Sequence, residues 1–184
     1  MRFLPTSLPG VVVVETPRLE DERGSFERSY CRDAFAEAGL PALGVQCNIS
    51  GNRSRHTLRG MHAQAAPEPD AKLVRCLSGR LFDVAVDIRP GSPAFGRWTA
   101  VELAAGDGRA LFIPAGFAHG FLTLADETTV FYMMGAPYRA ELSRGFRWND
   151  PDVAIAWPTA PVVVSARDLA LPPLAALAAA EPAP

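Results

Sequence analysis

The alternation of hydrophobic and polar positions predicts short β-strands over most of the chain. Residues 82–88 (FDVAVDI) alternate most regularly, with large apolar side chains on one face and Asp83 and Asp87 on the other. Comparable runs, separated by Gly- and Pro-rich turn clusters, cover 109–113, 119–124 and 128–134. Several short strands at this spacing predict a β-sandwich or a β-barrel.

The two ends of the chain carry different patterns. Residues 11–14 (VVVV) predict a short edge or pairing strand, and residues 31–39 predict a helix that Gly39 would end. The Ala- and Pro-biased stretch 171–184 predicts a short helix and a frayed tail. We therefore expect one all-β domain over 1–184 with a few short helices. Its parts would be N-terminal strands and a short helix over 1–44, a barrel core from about 45 to 158, and a C-terminal segment over 159–184.

Charge and composition exclude several classes of protein. Eighteen cationic residues face twenty anionic ones, so no basic field favours nucleic acid or an anionic membrane. The three cysteines form no CxxC pair, and no apolar run approaches eighteen residues. A cleavage-site pattern is also missing from the N-terminus, so we expect a cytoplasmic protein that does not enter membranes. Lys72 is the only lysine, which is either an accident of composition or the mark of a site that needs a compact ammonium.

The polar strand faces give the first indication of a site. Residues 46, 48 and 50 would share one polar face, as would Asp83 and Asp87 on the neighbouring run. Such faces are either half-solvated or line a polar pocket inside a barrel, and the pattern alone leaves both interpretations open.

Three histidines are present, and two of them stand in informative contexts. His56 lies among Arg, Ser and Thr in a predicted exposed turn and is expected to have no role. His119 ends a P-x-G-x-x-H string that resembles the second half of the cupin signature, where a tight turn delivers a histidine into a barrel. The first cupin half normally carries H-x-H, but His62 is followed by Ala63 and Gln64. Because that second ligand is missing, we expect a barrel without a metal ion.

A longer set of motifs is more specific. The chain resembles the dTDP-4-dehydrorhamnose 3,5-epimerase family over roughly four-fifths of its length, from residue 21 to 168. The matching strings, in order, are DERGSF (21–26), LRGMH (58–62), AKLV (71–74), FDVAVDIR (82–89), GSPAFGRW (91–98), PAGFAHGF (114–121), WNDP (148–151) and WP (157–158). The resemblance implies a cupin-like jelly-roll barrel, a homodimer, no metal or organic cofactor, and a nucleotide-linked 4-keto-6-deoxyhexose as substrate, dTDP-linked above all.

The reaction explains why such residues would be present. An epimerase of this kind removes a proton next to the ketone, holds the enolate and returns a proton to the opposite face. By the resemblance, His62 is the base, Asp168 fixes its tautomer, and Tyr132 is the acid. Lys72 would supply the positive charge for the enolate oxygen, with Asp83 as the partner that holds the ammonium in place.

The resemblance also implies a set of substrate-binding residues. Arg23 and Arg59 match positions that clamp phosphate or sugar oxygens, and Tyr138 matches a ring that stacks on the thymine base. The full set expected to bind substrate is Arg23, Phe26, Gln46, Asn48, Arg59, His119 and Tyr138.

Three positions depart from the family pattern. Ala63 stands where an aromatic residue is usual, and Arg28 and Ser143 stand where glutamate is usual. The proton-transfer residues are intact while the recognition residues are altered, which fits another nucleotide or epimerisation at C3 only. The alternatives are a 3,4-ketoisomerase, a metal-dependent cupin oxygenase, which the missing H-x-H disfavours, and a non-catalytic nucleotide-sugar-binding barrel.

Overall fold

The computed structural model describes residues 1–180, and β-strands dominate it. In chain order the strands are β1 (Arg2–Pro5), β2 (Val12–Glu15), β3 (Arg18–Asp21), β4 (Gly24–Glu27), β5 (Gln46–Asn52), β6 (Thr57–Gln64), β7 (Lys72–Ser78), β8 (Arg80–Asp87), β9 (Trp98–Ala104), β10 (Arg109–Ile113), β11 (Phe117–Thr123), β12 (Thr128–Met134), β13 (Ser143–Gly145) and β14 (Val163–Val164). The helices are α1 (Arg32–Glu37), α2 (Ala166–Leu169) and α3 (Leu174–Ala180), with a 3₁₀ turn at Ala140–Leu142.

Two sheets form the body of the molecule. The first has the order β1-β2-β10-β7-β12-β5, and the second has the order β13-β6-β11-β8-β9, with β14 added in parallel to β6. The other strand pairs are antiparallel, and β3 and β4 form a separate hairpin. This arrangement is a jelly roll of the cupin-like type, so the predicted all-β fold is confirmed.

The core lies between the two sheets. Apolar side chains from β7, β10 and β12 meet those from β8 and β11, and the shared cluster includes Val74, Leu111, Val130, Leu81 and Phe121. This packing follows from the alternation read in the sequence, because every second side chain of a strand points to the same face.

Short segments cover the outer faces of both sheets. On the first sheet, Phe35 of α1 is fully buried, and its ring packs edge-on against Phe3, Tyr30 and Phe112. On the second sheet, Phe146 and the side chains of Leu174 and Leu177 from α3 pack against the outward residues of β6, β8 and β11. The segments before and after the barrel therefore shield the apolar outer faces of both sheets.

The predicted elements agree closely with the observed ones. The strands expected at 109–113 and 128–134 have those bounds, and the helix expected at 31–39 is α1, with Gly39 at a φ of 71° just after its end. The VVVV strand is β2, which pairs with β1 on one side and β10 on the other. The predicted C-terminal helix is α3, and the last four residues of the expected tail lie outside the described residues. Within the described part of the chain, no helix is long and apolar enough to cross a membrane.

A pair of glycines sets the spacing of the two strands that carry both informative histidines. Gly60 of β6 has a φ of 142°, and a Cβ atom built there would stand 2.6 Å from the Cα of Gly120 in β11. Only glycine at both positions allows this approach. On the same pair of strands, His119 lies directly opposite His62 in the register.

Candidate active site

A cavity of about 300 Å³ opens between the two sheets. Strands β5, β7 and β12 of the first sheet and β6 and β11 of the second contribute to its wall. Seven of the residues expected from the sequence line it, namely Asn48, Arg59, His62, Lys72, His119, Tyr132 and Tyr138. The polar face of β5 therefore lines a pocket through Asn48 and Ser50, whereas Asp83 and Asp87 of β8 are fully buried and are not among the lining residues.

His62 and Asp168 meet at the wall of this cavity although 106 residues separate them in the chain. The distance between His62 Nε2 and Asp168 Oδ1 is 2.7 Å. Asp168 lies in α2, whose first turn is capped by the Ser165 hydroxyl, and its second oxygen accepts a hydrogen bond of 3.2 Å from the backbone N–H of Gly60. The short helix thus carries the carboxylate to the strand that bears His62.

The charge state of Asp168 fixes the tautomer of His62. Burial by itself would raise the pKa of Asp168, but the hydrogen bonds and charge of His62 and the Gly60 N–H outweigh it and hold the pKa below its usual value. An ionised carboxylate only accepts hydrogen bonds, so the proton of the neutral ring lies on Nε2. Nδ1 of His62 then keeps a lone pair with which it can accept a proton.

The ammonium of Lys72 is paired with Asp70. Lys72 Nζ lies 2.9 Å from Asp70 Oδ2, and both side chains are buried at the cavity wall. The expectation that Asp83 holds this ammonium is therefore wrong. Residues two apart point to the same face of an extended segment, which brings Asp70 beside Lys72. Asp83 lies instead in the opposite sheet, next to His119.

His119, Asp83 and Tyr132 form a second polar group in the interior. His119 Nε2 lies 2.7 Å from Asp83 Oδ1, and the rings of His119 and Tyr132 meet edge to face with centroids 5.8 Å apart. Burial raises the pKa of the Tyr132 phenol well above its ordinary value, and the charge of Asp83 raises it further. Tyr132 therefore stays protonated and can act as a hydrogen-bond or proton donor.

Predicted binding residues cluster at the mouth of the cavity. Gln46 Nε2 donates to Asn48 Oδ1 at 3.0 Å, and Gln46 Oε1 accepts from the backbone N–H of Tyr138 at 3.0 Å. This amide bridge ties the segment with the exposed Tyr138 ring to β5. Arg59 is also exposed, and its Nε donates to Asn52 Oδ1 at 2.8 Å.

Two of the three departures from the family pattern lie at this site. Ser143 lines the cavity, and its Oγ accepts a hydrogen bond of 2.7 Å from Arg167, the exposed residue just before Asp168. Ala63 lines both this cavity and a neighbouring one of about 140 Å³. A small residue at this position thus leaves space beside the pocket.

The structure does not bring Arg23 and Phe26 to the cavity. Both belong to the β3–β4 hairpin, where Phe26 is 73% exposed and Arg23 forms a solvent-exposed ion pair with Asp21. Arg28, the third departure, follows the same hairpin and is exposed. Within one copy of the chain these residues are therefore separate from the residues around His62.

Sequence reasoning missed several lining residues that a period-two pattern could have found. Gln64 follows His62 by two positions and Asp70 precedes Lys72 by two, so each shares a face with a recognised residue, as does Ser50, which the polar face of residues 46, 48 and 50 already included. Arg167 is different, because nothing in its local sequence marks it beyond its place next to Asp168. Among residues 1–180 no three His, Cys, Asp or Glu side chains come together as a potential set of metal ligands.

Comparison with known proteins gives consistent results. The family model described as dTDP-4-dehydrorhamnose 3,5-epimerase matches residues 5–176. The dTDP-4-dehydrorhamnose 3,5-epimerase of Sinorhizobium fredii is 42% identical over 96% of this chain and 91% of its own length. The dTDP-4-dehydrorhamnose 3-epimerase of Streptomyces niveus is 38% identical over 91% of this chain and 81% of its own.

The fold is also similar to that of a solved structure. The dTDP-6-deoxy-D-glucose-3,5-epimerase of Legionella pneumophila, in complex with dTDP-4-keto-L-rhamnose, superposes with a TM-score of 0.92 at 36% identity. The match covers 97% of this chain and 95% of that one. The likeness extends through the barrel and the segments that flank it.

We predict that Tyr132 keeps its proton through the usual range of phenol ionisation, because its pKa is raised. In an alkaline titration followed by phenolate absorbance, the native protein and Tyr132→Phe should give the same signal up to about pH 11. In denaturant the unmodified protein should show one more ionising phenol than Tyr132→Phe does. A larger native signal than that of Tyr132→Phe below this pH would contradict the assignment.

Proposed function

The chain belongs to the dTDP-4-dehydrorhamnose 3,5-epimerase family, and from that premise we propose how its pocket carries out the reaction. It is an isomerase that acts on a nucleotide-linked 4-keto-6-deoxyhexose, inverting carbon centres next to the ketone through an enolate. The observation that supports this proposal is that His62, oriented by Asp168, lines the same cavity as Lys72 and Tyr132.

The first step is removal of a proton from the carbon next to the ketone. The C–H bond breaks, His62 Nδ1 takes the proton, and the electron pair moves into a carbon–carbon double bond and onto the ketone oxygen. Imidazole suits this task because its ordinary pKa is close to neutral pH. The imidazolium that forms is stabilised by the ionised Asp168 at 2.7 Å.

The second half of the reaction needs a positive charge and a proton donor. Lys72 stabilises the enolate oxygen, because an ammonium concentrates its charge on one atom. Tyr132 then gives its proton to the opposite face of the enolate carbon. A phenol with a raised pKa is neutral at rest, and an enolate carbon is basic enough to take its proton. The resulting phenolate regains a proton, and His62 loses its own, before the next turnover.

The residues at the mouth of the cavity would bind the nucleotide diphosphate. Arg59 is proposed to clamp phosphate oxygens, for which a planar guanidinium is well suited. The exposed Tyr138 ring is proposed to stack on the base, and Gln46, whose Oε1 accepts from the Tyr138 backbone N–H, would hold that segment in place. His119 is proposed to donate to the sugar from the interior.

A second candidate is epimerisation at C3 alone. It is favoured by the 38% identical relative that bears the name 3-epimerase and by Ser143 and Arg28, which replace the usual glutamates. The nucleotide is proposed to be dTDP. A cytoplasmic location is part of the proposal, and the free thiols of Cys31, Cys47 and Cys76 are typical of proteins in a reducing compartment.

The test of the function is solvent proton exchange. In deuterated water the enzyme should introduce deuterium at C3 and C5 of dTDP-4-keto-6-deoxyglucose, as followed by NMR. His62→Ala should slow exchange at both carbons by about 100- to 10,000-fold, because it removes the general base.

Three outcomes discriminate between the candidates. Exchange at C3 alone would assign the 3-epimerase. Movement of the carbonyl in the product would assign a ketoisomerase. Binding of dTDP without exchange, across a panel of nucleotides, would contradict an enzymatic role and leave a binding barrel.

Tyr132→Phe separates proton removal from completed inversion. We predict that exchange stays within about 10-fold of the unmodified enzyme, while formation of the inverted sugar falls by about 100-fold or more, because His62 remains and only the acid is lost. Exchange and inversion are measured on the same samples by NMR. Normal inversion by this variant would show that another group is the acid.

We also propose that the chain forms a homodimer in which the β3–β4 hairpin completes the partner's pocket. The hairpin holds the two expected binding residues that do not reach the cavity of their own chain, Arg23 and Phe26. Leu19 on the hairpin is 65% exposed, and Ile49 on β5, at the end of the first sheet and next to the pocket, is 69% exposed. Contact between these apolar side chains across a two-fold axis would bury both.

Complementation between two variants tests this dimer. Because His62→Ala damages the cavity and Arg23→Ala damages the hairpin, a mixed dimer would contain one site with both parts intact. Co-expression of equal amounts should therefore restore about a quarter of the sites of the unmodified enzyme. Sedimentation checks the oligomeric state. A mixture no more active than the average of the two variants would contradict an exchanged hairpin.

A further inference from the structure

A buried carboxylate beside Lys72 has no task in the reaction scheme above. Asp70 Oδ2 lies 2.9 Å from Lys72 Nζ, and the two side chains are 8% and 7% exposed. We propose that Asp70 is a positioning residue, which keeps the Lys72 ammonium directed at the substrate carbonyl. This inference rests on the role proposed for Lys72 above.

Lysine needs such a partner more than most residues do. Its ammonium sits on a flexible four-carbon stem, and burial disfavours its charged form unless an opposite charge lies nearby. The ion pair with Asp70 is made through a single carboxylate oxygen, so N–H donors of the ammonium remain for the substrate. Asp83 is engaged with His119 at 2.7 Å, so Asp70 is the carboxylate that pairs with Lys72.

The place of Asp70 does not depend on its own charge. Gln64 Nε2 donates to the backbone oxygen of Glu68 at 2.6 Å, and the N–H of Gly135 donates to the oxygen of Ala71 at 2.8 Å. These bonds anchor the loop on both sides of Asp70. We therefore expect Asp70→Asn to fold with the loop in place and to lose only the charge.

Glu68 offers a matched control on the same loop. Its carboxylate pairs with Arg139 at the surface, 3.1 Å from Nε, and its side chain is 38% exposed. Glu68→Gln removes one negative charge two residues away from Asp70 without changing the surroundings of Lys72.

Lys72 can be observed directly because it is the only lysine of the chain. In protein labelled with ¹⁵N-lysine, the ammonium gives one signal, which is visible when a hydrogen bond slows proton exchange with water. We expect this signal in the unmodified protein and in Glu68→Gln, and its loss or broadening in Asp70→Asn. Asp70→Glu, which keeps the carboxylate, should retain it.

Kinetics then connect this contact to turnover. Asp70→Asn should lower kcat by about 10- to 100-fold, which is typical when the partner that orients an active group is removed. KM should stay within about 3-fold, because substrate binding at the mouth of the cavity is untouched. Glu68→Gln should match the unmodified enzyme, and Asp70→Glu should recover most of kcat.

Several results would overturn the proposal. An unchanged lysine signal in Asp70→Asn would show that Asp70 does not hold Lys72, whatever the activity. A changed lysine signal in Asp70→Asn with a normal kcat would show that the contact does not contribute to catalysis. An equal loss of kcat in Glu68→Gln would show that the effect comes from a general change in the loop. If the unmodified enzyme exchanged no proton of any nucleotide sugar, the proposed function would fail, and with it this role of Asp70.

Discussion

The interior of a β-barrel holds little water, so a charged side chain that points into it needs a partner of opposite charge. This constraint organises the pocket. Each of its three buried or half-buried basic side chains is held by an aspartate outside its own strand: His62 by Asp168, Lys72 by Asp70, and His119 by Asp83. The three carboxylates come from helix α2, from the loop before β7 and from β8, so folding of these segments and assembly of the site are one process.

The close approach of β6 and β11 decides where these pairs lie relative to one another. Gly60 and Gly120 let the strands approach, and His62 and His119 then face each other across the register. Gly60 has a second task, because its backbone N–H donates to Asp168. A side chain at either glycine would disturb the strand pairing and the orientation of the base together.

Strand alternation made much of this predictable from the sequence. The runs at 109–113 and 128–134 have the predicted bounds, and the polar face of β5 lines the pocket as one interpretation expected, while the aspartates of β8 are buried. Contacts between distant segments were harder to predict, because a sequence does not specify which carboxylate reaches which basic side chain. Family resemblance therefore suggested Asp83 for Lys72, whereas geometry gives Asp70. Arg167 was missed because its proximity to Ser143 depends on how α2 packs against β13.

The distribution of charge in the pocket determines how a substrate would enter it. The carboxylates of Asp70, Asp83 and Asp168 are buried, whereas the guanidiniums of Arg59 and Arg167 lie exposed at the mouth. The exposed guanidiniums attract a diphosphate, whereas each inner carboxylate is already paired with a basic side chain, so the diphosphate would stay at the mouth while the uncharged sugar ring enters. Arg167 donates to the neutral Ser143 hydroxyl, so that contact leaves its positive charge uncompensated. A diphosphate held there by the guanidiniums would let the sugar ring, and with it the ketone, reach Lys72 at the cavity wall.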